Sequence, residues 1–133
     1  MSARRVVSAV AVCLAATAGR AAAQGAPPPA GPQAPDTTAI TPAMVDAGRT
    51  IFHTKGTCFA CHGAQLQGTQ IAPTLIKTVW KDAKGGDTKA IYYVVTHGVP
   101  GTLMVKFPGG ITSADAVNVV SYIWSVNHRG VKP

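Results

Sequence analysis

A chain of 133 residues holds one domain of ordinary size, and its 47% hydrophobic against 13% charged residues argue against disorder. Three Cys cannot build a disulfide framework, and no apolar run approaches the ~20 residues of a membrane-spanning helix. The net charge of +7, from 12 Lys and Arg against five Asp and no Glu, is scattered rather than clustered among aromatics, which speaks against a nucleic-acid partner.

Residues 1–23 read as a secretory signal peptide. Arg4 and Arg5 form a basic start, Val6 to Ala18 an uncharged run, and Ala21, Ala22 and Ala23 a small-residue exit. The competing reading is a buried N-terminal helix. Cys13 follows Val12 inside the apolar run, not a small residue as a lipid-anchored Cys would, so it is expected to leave with the leader. Without the leader nine Lys and Arg face five Asp, about +4, and two Cys remain, Cys58 and Cys61. The expected location is the periplasm or another exported compartment.

Residues 24–43 carry six Pro and two Gly with almost no apolar side chains, which predicts a flexible linker that does not pack. Residues 44–130 form the expected domain. Thr41 and Pro42 start a helix that runs to about His53, with Asp46 in its first turn and Val45, Gly48, Ile51 and Phe52 on its inner side. Lys55 to Gly86 is expected to be irregular. Asp87 or Thr88 caps a second helix with Ile91, Val94 and Val95 at helical spacing, ending near Gly98. A last helix opens at Thr112 with Asp115 in a capping box, and buries Ala116, Val119, Val120, Ile123 and either Tyr122 or Trp124. No alternating strand pattern and no repeat is present, so the fold class is all-α, three or more short helices around a loop-rich centre. So thin a core calls for a staple.

Cys58-Phe59-Ala60-Cys61-His62 supplies one, because C-x-x-C-H is the attachment signature of c-type haem. Two thiols three residues apart can each add across one haem vinyl group, and the following His is held beneath the iron as the proximal ligand. Other readings are a zinc site, which would need two more ligands from His53, His97 and His128; a thioredoxin-like pair, which belongs to a strand–helix alternation; and a local disulfide.

From Met44 to Asn127 the sequence resembles a small class I c-type cytochrome. The matching residues are Gly48 and Phe52, the Cys58–His62 motif with Gly63, Ala72-Pro73-Thr74-Leu75, Gly98-Val99-Pro100-Gly101-Thr102-Leu103-Met104, and Tyr122 on the last helix. The resemblance implies a fold wrapped around one covalent haem c, with first and last helices crossing closely at Gly48. It also implies that the Pro73 carbonyl accepts a hydrogen bond from His62, and that Met104 is the distal iron ligand, here followed by Val105 where Pro is common. Trp80 would contact a haem propionate or simply pack. Rival distal ligands are His97 foremost, then His53, His128 and Met44. Tyr92, Tyr93 and Trp124 read as core or haem-pocket wall.

The function this implies is that of a soluble, exported, monomeric carrier. It passes one electron between larger redox proteins, donor and acceptor, and is not itself an enzyme. Lys77, Lys81, Lys84, Lys89 and Lys106 would steer an acidic partner. The alternatives are an electron-entry subunit of a dehydrogenase or oxidase complex, and a five-coordinate haem that binds peroxide or gas.

Overall fold

The computed structural model describes residues 31–76 and 80–133. Residues 1–30, which include the expected leader, and Lys77 lie outside the described residues. Among the described residues four helices form the body: α1 (Pro42–His53), α2 (Cys58–His62), α3 (Thr88–His97) and α4 (Ser113–His128). Single 3₁₀ turns lie at Lys84–Gly86 and Pro108–Gly110, and no strand occurs among the described residues.

The helix starts are set by local chemistry. The Thr41 hydroxyl accepts from the Met44 amide at 3.3 Å, and Pro42 begins α1 where no amide donor is needed. Asp87 accepts from the Ala90 amide at 2.7 Å, leaving Thr88 as the first helical residue of α3. Thr112 and Asp115 form the expected reciprocal capping box at the start of α4. Asp46, in contrast, sits beyond the first turn of α1, which contains no acid.

The core gathers Val45 and Phe52 of α1, Ile91 and Val95 of α3, and Ala116, Val119, Val120, Tyr122 and Ile123 of α4. Ile51, expected inside, is half-buried. The main packing is α1 across α4, with α3 against α4 as well. The α1–α4 crossing closes at Gly48, where any Cβ would run into the Asn118 carbonyl and the Tyr122 Cβ. One helical turn on from Gly48, Phe52 meets Tyr122 edge to face with ring centroids 5.7 Å apart.

Three expectations change. Cys58–His62 is helical, where the sequence predicted irregular chain from Lys55 onward; the segment is too short to show a hydrophobic period. The packed region also begins before residue 44. Pro35 and Ile40 are buried, and Arg129 donates to the carbonyls of Ile40 (3.0 Å) and Thr37 (2.7 Å). Tyr92 donates to the Pro32 carbonyl at 2.7 Å, so this stretch is bound through its backbone, which composition does not report. Finally, Tyr93 faces solvent stacked on His97 rather than joining the core or pocket wall, while Trp124, stacked on His128, packs half-buried against the core as one of its two readings expected.

Candidate functional site

Positions i, i+3 and i+4 of a helix share one face, and in α2 those positions are Cys58, Cys61 and His62. All three line one cavity of about 520 Å³, whereas Phe59 and Ala60 between them are exposed. The two-residue spacer therefore puts both thiols and the imidazole on the same side. Thr57, in the left-handed region at φ 48°, turns the chain into α2 after the Gly56 amide has bonded the Ile51 carbonyl at 2.8 Å. Neither Cys is in a disulfide. Burial pushes the Cys58 thiol up to about 11, so it stays protonated at neutral pH.

The loop after α2 folds back on itself. The His62 carbonyl accepts from the Gly68 amide at 2.7 Å, the Cys61 carbonyl from the Thr69 hydroxyl at 2.7 Å, and the Leu66 carbonyl from the Leu75 amide at 2.7 Å. Leu66 is fully buried at φ 58°, pinning the loop to the core. The outcome is that His62 Nδ1 lies 2.9 Å from the Pro73 carbonyl oxygen. A carbonyl only accepts, so Nδ1 carries the proton, and Nε2 keeps the lone pair that a metal requires. Asn127 of α4 supports this loop by donating to the Leu75 carbonyl at 2.8 Å. The sequence reading missed Asn127; its only signal is an amide near the end of an apolar helix stripe.

Met104 lines the same cavity and is half-buried. Its loop leaves α3 at Gly98, whose φ of 73° is natural only to glycine and whose missing Cβ makes room for the Met104 carbonyl. That carbonyl accepts from the Val99 amide at 2.8 Å, the Met104 amide bonds the Thr102 hydroxyl at 3.1 Å, and the Phe107 amide returns to the Val95 carbonyl at 2.9 Å. The loop is thus closed at both ends without Pro after Met104.

The rival ligands lie elsewhere. His53 ring nitrogens are each 2.8 Å from a carbonyl, of Arg49 and of Ala64; His97 stacks on Tyr93; His128 lies 2.9 Å from the Trp124 carbonyl. None of them, nor Met44, lines the cavity. The walls are apolar, with Phe52, Leu75, Ile91, Val95, Val119 and Ile123 prominent, and Trp80 also contributes. Two unpaired thiols, an imidazole and a thioether in an apolar cavity of this size fit a haem held by two thioether bonds, within the ~300–1,000 Å³ of small-molecule sites. Among the described residues, no cluster of three or more His, Cys, Asp or Glu forms a cage for a bare metal ion.

Residues 45–127 match the family model described as Cytochrome c. Over 94 residues the chain is 37% identical to the Cbb3-type cytochrome c oxidase subunit CcoP of Azospirillum sp. (strain B510), covering 62% of this chain and 30% of that subunit. The chain thus spans about a third of the length of the curated relatives it matches. Among solved structures it resembles cytochrome CL of Methylophaga aminisulfidivorans, with TM-score 0.57 and 21% identity, over 64% of this chain and 56% of that one. Cytochrome cL of Hyphomicrobium denitrificans follows at TM-score 0.52 and 20% identity, over 60% and 45%. At these identities the likeness to solved structures concerns the fold.

Proposed function

Because the chain belongs to the cytochrome c family, with covalently bound haem c, we propose that it is an exported single-haem carrier that relays one electron between larger redox proteins. In this reading Cys58 and Cys61 would anchor the porphyrin, and His62 and Met104 would ligate the iron. The observation that carries it is the meeting of His62 and Met104 in one apolar cavity with both thiols. Haem c supplies the iron couple that accepts and releases the electron.

The chain's own residues do the rest. The Pro73 carbonyl fixes the His62 tautomer and makes the ring a better donor. Met104, a soft neutral thioether, would favour ferrous iron and raise the potential. The apolar walls keep water away. With His62 and Met104 both holding the iron, no position would remain open for substrate, which supports a carrier rather than an enzyme. Export and a monomeric state belong to the same reading; export is supported by Arg4, Arg5 and the small-residue exit at Ala21–Ala23.

The test is the optical spectrum of the exported protein, oxidised and reduced, with and without carbon monoxide. A low-spin c-type spectrum with the weak red iron–sulfur band, indifferent to carbon monoxide, is expected. A high-spin spectrum that shifts with carbon monoxide would overturn the Met104 assignment and favour an open haem. A second reading, an electron-entry subunit of an oxidase complex, draws on the likeness to an oxidase subunit. Co-purification with a larger haem–copper or dehydrogenase assembly would favour that reading over the free carrier.

A further inference from the structure

We infer that Asn127 is a positioning residue for His62: by holding the Leu75 carbonyl it fixes the Pro73 carbonyl against the imidazole, and so lowers the reduction potential. This rests on the electron-carrier reading and names a control of the potential that the reading leaves open. Asn127 stands half-buried in the last turn of α4. Its amide nitrogen lies 2.8 Å from the Leu75 carbonyl oxygen and 2.8 Å from that of Ile123. One N–H is thus spent within α4, and the other crosses to the loop that delivers Pro73. Asn127 does not itself border the cavity, whereas Pro73 and Leu75 do, so its reach to the ring runs through the loop.

Pro73 has no N–H with which to anchor itself, so its carbonyl is placed by its neighbours. Before it, the Ala72 carbonyl accepts from the Thr69 amide at 2.9 Å. After it, Leu75 is gripped twice: its amide donates to the Leu66 carbonyl at 2.7 Å, and its carbonyl accepts from Asn127. Gly68 packs on the same stretch, where a Cβ would strike the Pro73 carbonyl carbon and the Thr74 nitrogen. Leu66, Gly68 and Thr69 belong to the loop, and their bonds to Leu75 and Ala72 shape it without tying it to a helix. The link from α1 falls early, with His53 Nε2 2.8 Å from the Ala64 carbonyl oxygen; the link from α4 falls beside Pro73. A hydrogen bond weakens steeply as its geometry degrades, so His62 Nδ1, 2.9 Å from the Pro73 oxygen, would feel any drift of that carbonyl. A well-placed carbonyl makes the imidazole more basic, and a more electron-rich ligand favours ferric iron. Asn127 would thus pull the potential the opposite way to Met104.

The test uses the haem-loaded protein, and its optical spectrum is recorded first. Asn127→Leu removes both donated bonds at similar volume. Asn127→Ser keeps a hydroxyl for the Ile123 carbonyl but is too short to span to Leu75. Each should raise the potential by about threefold in the redox equilibrium, ~28 mV for one electron. By NMR of the reduced variants, the His62 ring N–H should exchange with solvent about tenfold faster than in wild type. Val45→Ala, which truncates a buried α1 residue that does not border the cavity, should lose stability yet leave both readouts at wild-type values. Asn127 variants at the wild-type potential overturn the proposal, as does a Val45→Ala protein whose potential rises as far. If neither Asn127 variant takes up haem, the reduced wild type decides. Corrected for intrinsic rates, its His62 ring proton and Asn127 amide protons should exchange together, and a ring proton more than about tenfold faster overturns the link. A wild-type protein that is not low-spin defeats the carrier reading, whereas a low-spin protein whose variants keep its potential defeats the role of Asn127 alone.

Discussion

Lys55 Nζ lies 2.7 Å from Asp115 Oδ2, tying the turn just before α2 to the first turn of α4. The same carboxylate accepts from the Thr112 amide at 2.8 Å, so one side chain caps a helix and holds the approach to the attachment motif. The Lys55 hydrogen bond first, and that amide second, hold the Asp115 carboxyl well down, at about 2.

A carboxyl depressed below its ordinary 3.8 stabilises the fold fully above that value and loses its contribution as pH falls towards about 2. Asp115→Asn should cost about 1 kcal/mol at pH 7, the usual worth of a cap with a small addition from a partly exposed ion pair. Urea unfolding of the haem-loaded protein at pH 7 and at low pH checks this: the gap between wild type and variant should close as pH approaches 2.

Gly48→Ala places a methyl group against the Asn118 carbonyl at the tightest point of the α1–α4 crossing. Overpacking there should cost about 3 kcal/mol, the upper end of the usual range, because the obstacle is backbone rather than a movable side chain. Chemical denaturation should show the loss with the optical spectrum at zero denaturant preserved.

Met104→Ala removes the only thioether bordering the cavity among the described residues. The loaded variant should lose the red iron–sulfur band, bind carbon monoxide and fall in reduction potential. His97→Ala should leave all three readouts at wild-type values, since His97 is held against Tyr93 and Thr96 outside the cavity. Redox titration and carbon monoxide difference spectra distinguish the two ligands.

Before thioether formation the Cys58 thiol is held near 11 by burial, so only ~10⁻³ of it is thiolate at pH 8. Alkylation of Cys58 in the folded haem-free chain should therefore quicken about tenfold per pH unit from 8 to 10. In urea, where burial is lost, the thiol should react rapidly at pH 8; peptide mass spectrometry follows both. Because this folded-state value lies above the ordinary 9.0, the group adds nothing to stability below about 9 and opposes none, but folding is disfavoured once pH rises past it.

What the sequence made legible was chemistry settled within a few residues. Thr41, Asp87 and Thr112 cap helices through bonds to residues three along, and all three starts were foreseen. The C-x-x-C-H motif was legible as chemistry, although the short helix that puts Cys58, Cys61 and His62 on one face was not. Met104 was expected near the site from the family resemblance and its Gly- and Pro-rich loop, and it lines the cavity. What stayed hidden depends on distant partners: Arg129 bonds Thr37 across 92 residues and Asn127 bonds Leu75 across 52. Ile91, Val94 and Val95 line the cavity as their helical spacing suggested; of the neighbouring tyrosines read as core or pocket wall, Tyr92 packs half-buried against the core whereas Tyr93 is exposed. The lysines were legible as a positive set, but not that Lys81 and Asp82 border the cavity while Lys84 does not.

The backbone clasp of Arg129 on Thr37 and Ile40 has a practical side. Together with Tyr92 on Pro32, it fixes where the N-terminal stretch crosses the body, on residues that do not border the cavity. The far end of the chain is less accommodating, since Arg49 holds the Lys132 carbonyl at 2.9 Å. A surface tether or fusion joined ahead of Pro32 would leave the opening clear for an electrode, whereas one grafted after Lys132 would pull on α1.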